Sequence, residues 1–351
     1  MDPILYWNNV ALEANRTDFS NLPATGAPSP EQGGPTLSSR ALAIVHLAMY
    51  DAHAGVVNSP ALPRYLPGLP APAAGASAAA AVAAAAHACL SALYPRQKAS
   101  FDAAHAAAGL AGGGIAPGHD YGQLVAAAML AARKDDPGAG DAGYAAPVQP
   151  GGHRPDPASP AQGYHAPFYG VRSKCFAVKA RQAIAAPPAL GSAEYEKAAA
   201  QVRAKGIAPE LMGTLPAAAN KRTAEETLIG LYWAYDGARE LGTPPRLYNL
   251  IVREVAIARG NTPAQNARLF ALVNAAMADG SPPRAHVRHA PQETALWRVL
   301  RSEAQTLMES AASAGAPLPR YVQDELHAFL RCGVLACGFA PARCAGCGLD
   351  R

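Results

Sequence analysis

The segment from Lys221 to Gly280 constrains the fold most, because it contains three consecutive stretches with helix start signals. Each stretch begins at a threonine that can cap a helix, and proline directly follows two of these threonines, in the first helical turn, where it is tolerated. Glycine ends the second and third stretches, and apolar residues recur at helical spacing. The predicted helices are Thr223–Tyr235, Arg246–Arg259 and Ala264–Ala278.

Upstream of this segment, further helix signals alternate with loops rich in proline, glycine and alanine. No run shows the apolar–polar alternation of a half-buried β-strand. The predicted helices are Ile4–Asn15, a helix capped by Ser38 or Ser39 that runs through Val56, the antiparallel pair Ser77–Tyr94 and Pro95–Leu110, His119–Lys134, and a helix from Ser192 to near Gly206. The sequence therefore predicts an all-α fold, a helical bundle.

The charge pattern excludes one class of partner. The net charge is only +4 and the basic residues are scattered, so no basic stripe for a nucleic acid is present, and we expect no nucleic-acid partner. The apolar stretch Ala73 to Leu93 is mostly alanine, which favours a buried helix over a membrane span. The first residues show no secretory signal pattern, which predicts a cytoplasmic location for the chain as written.

Several segments give the chain a family resemblance. They are YWNNVALEANRTDF at 6–19, GPTLSSRALAIVHLAMYDA at 34–52, APFYGVRSKCFAV at 166–178, PPALGSAEY at 187–195, and the whole of 221–280. In this order they resemble the vanadium-dependent haloperoxidases, relatives of the acid phosphatases and lipid phosphatases of the phosphatidic acid phosphatase superfamily. The resemblance implies a haloperoxidase-like helical domain over residues 1–280, incomplete at its carboxy-terminal side, followed by a divergent tail, 281–351.

The resemblance also implies a cofactor and a reaction. Family members bind vanadate through a histidine and use hydrogen peroxide to oxidise a halide. Their ligands lie in the patterns K-x6-R-P, P-S-G-H and S-R-x5-H-x3-D. The first is expected shortly after Ala278-Asp279, yet no lysine follows Lys221, and P-S-G-H is absent; the nearest match is Pro117-Gly118-His119-Asp120, far upstream. We therefore assign no catalytic, cofactor-binding or metal-binding residue. Homo-oligomerisation stays open.

A third pattern imitates the last motif. Ser39-Arg40-x5-His46-x4-Asp51 has one residue too many before the aspartate, and the segment resembles the family's amino-terminal helix instead. We predict that Arg40, His46 and Asp51 hold neighbouring helices through buried hydrogen bonds, and a contribution to a site is the alternative.

Other polar candidates are weaker. One set of four residues is predicted to form a buried polar network, or partly to line a cleft: Arg222, Tyr235, Asp236 and Arg246. A second set lacks the spacing of metal ligands: His153, His165, His286 and His289.

Six cysteines divide into two groups. Cys89 and Cys175 stand alone, as expected for thiols in a reducing compartment. The tail has the spacing C-x4-C-x6-C-x2-C, which is compatible with zinc binding but lacks the long loop between two C-x2-C pairs. Exposed thiols are therefore favoured over a zinc site for Cys332, Cys337, Cys344 and Cys347.

Three functions follow from these observations. The first is a haloperoxidase-like protein by descent that is inactive alone, because its vanadate motifs are missing. The second is a non-catalytic helical interaction protein or a fragment, and the third is a phosphatase of the same superfamily, which needs the same ligands. The tail is rich in proline, alanine, arginine, glycine and cysteine, as a GC-rich gene read out of frame would be, and true divergence is the alternative.

Overall fold

The protein is described by a computed structural model that covers residues 2–20, 30–134, 136, 174–179, 187–206, 222–233, 241–280 and 313. The chain divides into two compact units, Met1–Ser281 and Pro282–Arg351, and of the described residues only Ser313 belongs to the second. The described residues form helices and no β-strand, which confirms the predicted all-α fold.

Nine α-helices are present in the described part of the chain. They are α1 (Pro3–Ser20), α2 (Gly34–Val57), α3 (Ala78–Leu93), α4 (Lys98–Ala106), α5 (Ile115–Ala132), α6 (Ala193–Lys205), α7 (Ala224–Trp233), α8 (Pro244–Ala258) and α9 (Pro263–Asp279). A short 3-10 turn, Pro95–Gln97, precedes α4.

Two helix starts have the reciprocal hydrogen bonds of a capping box. In α7, the backbone N–H of Thr223 donates to Glu226 at 2.9 Å, and the backbone N–H of Glu226 donates to the Thr223 hydroxyl at 3.1 Å. Thr262 and Gln265 exchange the corresponding bonds at the start of α9, at 2.8 and 3.3 Å. Both starts satisfy backbone donors that a helix otherwise leaves unpaired.

The start of α2 differs from the prediction. The helix begins at Gly34 with Pro35 in its first turn, so Ser38 and Ser39 lie inside it and cap nothing. The Ser38 hydroxyl donates to the Gly34 carbonyl at 2.8 Å, and the Ser39 hydroxyl donates to the Thr36 carbonyl at 2.9 Å. Serine makes such bonds to the preceding turn as readily as it caps, and proline in the first turn marks the true start.

Helix α2 forms the centre of the first unit. Every residue from Thr36 to Gly55 except Arg40 is buried. The helix contacts α1, α3, α5, α8 and α9, so its apolar surface is covered on all sides. A helix that is apolar around its whole circumference is expected to lie in the interior of a bundle.

Helices α3 and α5 pack very closely through small residues. A Cβ atom at Gly118 would lie 2.4 Å from the Ser77 carbonyl oxygen, and one at Gly122 would lie 2.2 Å from the Ala81 carbonyl oxygen. No side chain larger than hydrogen fits at these two positions. The buried surface of α3, which is mostly alanine, is therefore used for helix packing.

The structure bears on two expectations about α3, its position relative to a membrane and its pairing with the next helix. Within the described residues no single helix is long and apolar enough to cross a membrane, and α3 meets that criterion only together with the next segment, as a bent pair. The chain turns by 120° at the break, so α3 and α4 cross each other and are not the antiparallel pair that we predicted. The intervening 3-10 turn, which begins at Pro95, sets this angle.

Candidate functional site

A cavity of about 320 Å³ lies between the first turns of α2 and α8 and the last turn of α9. Its lining consists of Pro35, Thr36, Ser39, Pro244, Pro245, Tyr248, Met277, Ala278, Asp279 and Gly280. The family resemblance predicts that the Lys/Arg motif follows shortly after Asp279. The cavity is thus the place in the described structure where a site of the family's kind is expected to begin.

The cavity offers few donors to an anion. Among its described lining residues there is no lysine, arginine or histidine, and three of them are prolines, which have no backbone N–H. Because these prolines occupy the first turns of α2 and α8, they remove N–H groups that a helix start normally presents to an anion. Asp279 adds a carboxylate, which repels an anion.

The carboxylate of Asp279 has a structural task. It accepts hydrogen bonds from the backbone N–H groups of Phe176, Ala177 and Val178, at 2.5, 2.8 and 3.0 Å. The hydroxyl of Tyr65 donates to the Phe176 carbonyl from another side, at 2.8 Å. These bonds fix a piece of the segment 166–178, one of the family-like stretches, against the end of α9.

The buried guanidinium of Arg133 holds the same piece of chain. It stacks 3.6 Å above the Phe176 ring and donates to the carbonyls of Lys174 and Cys175, at 2.7 and 3.2 Å. It also pairs with Asp136 at 2.8 Å. Its positive charge is therefore partly balanced within the fold by Asp136.

Arg40 belongs to this ion-pair cluster. Its guanidinium donates to Asp136 at 2.8 Å and to the Arg133 carbonyl at 2.8 Å, so it joins α2 to the end of α5. The Asp136 side chain is only 2% exposed and lies between two guanidinium groups. Removal of one partner of a buried ion pair is strongly destabilising, which indicates a structural role for Arg40.

His46 is fully buried and bonded at both ring nitrogens. Nδ1 lies 2.7 Å from the Leu42 carbonyl oxygen, and Nε2 lies 3.0 Å from the side-chain nitrogen of Asn8. These partners assign the ring proton to Nδ1, so Nε2 accepts from Asn8 and is not open to a ligand. Burial lowers the pKa of His46 to about 4, although the Leu42 carbonyl opposes the shift.

Asp51 holds the turn that follows α2. Its carboxylate accepts from the backbone N–H groups of Tyr65 and Leu66, at 2.5 and 2.9 Å. Burial raises the pKa of Asp51 to about 6, while these two hydrogen bonds and the charge of Arg64 act in the opposite direction. Arg40, His46 and Asp51 thus bind three different elements. The hydrogen bonds of Arg40 and His46 reach α5 and α1, neighbouring helices as predicted, whereas those of Asp51 reach a loop.

A network of buried asparagines escaped the sequence analysis. Asn249 of α8 and Asn274 of α9 exchange amide hydrogen bonds at 2.8 and 3.0 Å, and the Asn8 amide of α1 lies 3.4 Å from Asn249. Through His46 the network joins four helices. The signal that was available is an asparagine in the middle of an apolar stripe, as in LYNLI and LVNAA.

The remaining candidates do not converge on one site. Arg222 donates to the Lys205 carbonyl at 3.0 Å, whereas Arg246 donates to the Leu12 carbonyl at 3.0 Å and to Glu13 at 2.8 Å. Among the residues that the structure describes, no three His, Cys, Asp or Glu side chains are placed to hold a metal ion. Cys89 and Cys175 are free thiols. The other residues that we singled out lie outside the described ranges: Tyr235, Asp236, His153, His165, His286, His289, Cys332, Cys337, Cys344 and Cys347.

Comparison with known proteins agrees with the resemblance. The vanadium chloroperoxidase N-terminal domain matches residues 1–163. Vanadium chloroperoxidase of Curvularia inaequalis is 35% identical to this chain over an alignment of 337 positions, gaps included. The alignment covers 79% of this chain and 53% of that relative. Both matches support the vanadium haloperoxidase family for this chain. It spans about half the length of the curated relative that it matches.

Vanadate, the cofactor that this family implies, does not fit the described residues. A bound oxyanion needs several fixed cationic donors, and none of the described residues that line the cavity at the end of α9 provides one. The buried guanidinium groups nearby, those of Arg40 and Arg133, are already paired with Asp136. In this chain, the described helices form a framework without an oxyanion cradle.

Proposed function

We propose that this chain provides the helical scaffold of a vanadium-dependent haloperoxidase, and that the chain alone does not oxidise halide. The vanadate ligands would come from a segment with the family's three motifs, which this sequence lacks. One observation carries the proposal: none of the described residues that line the cavity, at the point where those motifs are expected to follow, has a cationic side chain. Arg40 and His46, whose spacing resembles the last motif, instead make structural hydrogen bonds to Asp136 and Asn8.

An exposed apolar surface on α8 supports the scaffold role. Tyr248, Ile251 and Val255 are 49%, 52% and 36% exposed and share one side of the helix. Tyr248 also lines the cavity, so the apolar stripe and the cavity are continuous. An exposed stripe of this kind is typical of a surface that packs against another helix. We assign it to a helix of the ligand-carrying segment, because it begins where that segment is expected.

A scaffold that binds a second helical segment is itself a helical interaction protein, so the scaffold role includes that alternative. The phosphatase alternative needs the same oxyanion cradle, and no contact in the described residues favours it.

A direct test measures vanadate binding and halogenation by the purified chain. We expect no broadening of the vanadium NMR signal and no bromination of a reporter phenol with peroxide. The physical reason is that loss of even one preorganised donor costs about 100-fold or more in rate. Vanadate-dependent bromination that disappears in Arg40→Ala or His46→Ala, but persists in the exposed control Arg203→Ala, would contradict the proposal.

A second test concerns the apolar stripe alone. The double variant Tyr248→Ser, Ile251→Ser should bind less hydrophobic dye than the unsubstituted chain, with an unchanged helical circular dichroism spectrum. Val202→Ser, at an exposed valine of α6, is the matched control and should leave dye binding unchanged. Equal dye binding by all three proteins would show that the stripe on α8 is already covered.

A further inference from the structure

Three histidines from three different helices lie side by side, away from the cavity and the asparagine network. His87 belongs to α3, His105 to α4 and His119 to α5. The ring centroids of His87 and His105 are 5.2 Å apart, and those of His105 and His119 are 5.6 Å apart, both in an edge-to-face arrangement. His105 is thus the middle ring of a stack that joins three helices.

The surroundings of His105 favour the neutral form of its ring. Its Nε2 is buried and has no hydrogen-bond partner among the described residues, and its ring lies 6.2 Å from the buried ring of Trp7. Burial lowers the pKa of His105, and the neighbouring rings of His87 and His119 lower it further, whereas Asp102 opposes the shift. A proton on Nε2 would meet neither bulk water nor an acceptor among the described residues.

The surrounding charges add to this cost at low pH. The groups that face the stack are His87 of α3, His119 of α5, Tyr6 of α1, and Asp102 with Lys98 on α4. Asp102 is the one carboxylate acting on His105, and it is shared by His87 and Lys98, at 2.7 Å each. The Tyr6 hydroxyl donates to the Ala104 carbonyl at 2.7 Å. Protonation of the three rings would therefore leave a net positive cluster.

Helix α4 is the element that such repulsion can displace. Phe101 is its one buried side chain, and the Tyr6 hydroxyl bond is its main link to α1. Beside its carboxy-terminal end lies a cavity of about 190 Å³, lined by Tyr6, Trp7 and residues 108–111, among others. A shift of α4 and of these residues would expose the cavity to solvent.

We propose that α4 and residues 107–111 form a pH-sensitive flap, which leaves its place against α1, α3 and α5 when His105 and its neighbouring histidines are protonated. The flap is docked at neutral pH, because its docked position favours the neutral form of His105. It is released as the pH falls below the ordinary pKa of histidine, about 6.5, because the released state binds the proton more tightly. Each unit by which docking lowers the pKa of His105 increases the released fraction about tenfold in acid.

Hydrogen exchange of the full-length chain tests the flap. Protection of the backbone amides of α4 and of α2 is compared at about pH 7.5 and about pH 5, on either side of the ordinary histidine pKa, after correction for the intrinsic rate. We expect α4 to lose protection about tenfold in acid, while α2 keeps its own. Equal protection of α4 at both pH values would overturn the proposal, and so would an equal loss in α2, which indicates unfolding of the whole unit.

Variants separate the histidine stack from other acid effects. His105→Gln should abolish the pH dependence of α4 protection, and His119→Gln, which changes an outer ring, should reduce it. His153→Gln changes a histidine elsewhere in the sequence and should leave it intact. In a background of Trp233→Phe and Trp297→Phe, acrylamide quenching of Trp7 should rise in acid only when His105 is present. A pH response of unchanged size in His105→Gln would exclude the flap.

Discussion

Replacement of Gly122 by alanine tests the close packing of α5 on α3. The added Cβ atom would lie 2.2 Å from the Ala81 carbonyl oxygen and 2.8 Å from the Ala84 Cβ atom, both in α3. The first contact is with backbone, so no side-chain rotation relieves it. An ordinary contact begins near 3.4 Å, and the two helices must therefore separate by about 1 Å.

The expected cost follows from two opposing effects. Overpacking of a buried site typically costs about 1–3 kcal/mol, and a clash with rigid backbone belongs at the upper end. Alanine regains about 1 kcal/mol relative to glycine inside a helix. We expect Gly122→Ala to lower the free energy of unfolding by about 2 kcal/mol.

Urea unfolding followed by circular dichroism measures this difference through the shift of the midpoint. The matched control is Gly230→Ala in α7, where an added Cβ atom meets nothing within 4 Å. This control should gain up to about 1 kcal/mol, because only the helix propensity changes. If both variants are stabilised equally, the separation of α3 and α5 is not the constraint that the structure indicates.

Three further predictions concern buried polar groups. The folded pKa of His46 is lowered to about 4, so neutral His46 contributes its full stability above pH 6.5. About 3 kcal/mol of the free energy of unfolding is lost as the pH falls from 6.5 to 4. Urea titrations of the unsubstituted chain and of His46→Gln between these pH values measure this loss. Asp51 has the opposite sign: its pKa is raised to about 6, so about 2 kcal/mol is lost as the pH rises from 4 to 7, and Asp51→Asn should remove this slope. Asn249→Leu should lower the melting temperature, because the buried Asn274 amide loses both of its bonds to Asn249 and keeps only its bond to the Phe270 carbonyl. Asn249→Leu with Asn274→Leu should recover part of the loss, and a double variant that melts lower than the single one would contradict this.

The helix termini were largely predictable, because the signals that set them are local. Thr223 and Thr262 lie at fixed distances from Glu226 and Gln265, and the bonds that these pairs form need no information from the rest of the chain. The start of α2 was not predictable in this way, since two competing starts lie within a few residues. The helix begins before Ser38, with Pro35 in its first turn, because the residues between Pro35 and Ser38 are buried in the bundle.

The side-chain pairings were beyond the sequence. Asn8 and Asn249 meet across more than 200 residues of chain, and which faces of α1 and α8 approach each other depends on how all the helices rotate during packing. The candidate site was predictable in one respect. The absence of the Lys/Arg and P-S-G-H patterns can be recognised in the sequence alone. The role of Arg40 in a buried ion-pair cluster with Asp136 could be recognised only from the structure.

The interface between α3 and α5 has an entropic consequence. Ala80 to Ala86 contains six alanines and one valine, all buried, and alanine loses no rotamer freedom when it is buried. The interface therefore forms without the entropic cost of ordering long side chains. For the same reason it has no flexible groups with which to absorb a change in spacing, and dispersion attraction falls steeply with distance. The two helices should consequently behave as one mechanical body, which separates cooperatively and tolerates few substitutions along the contact.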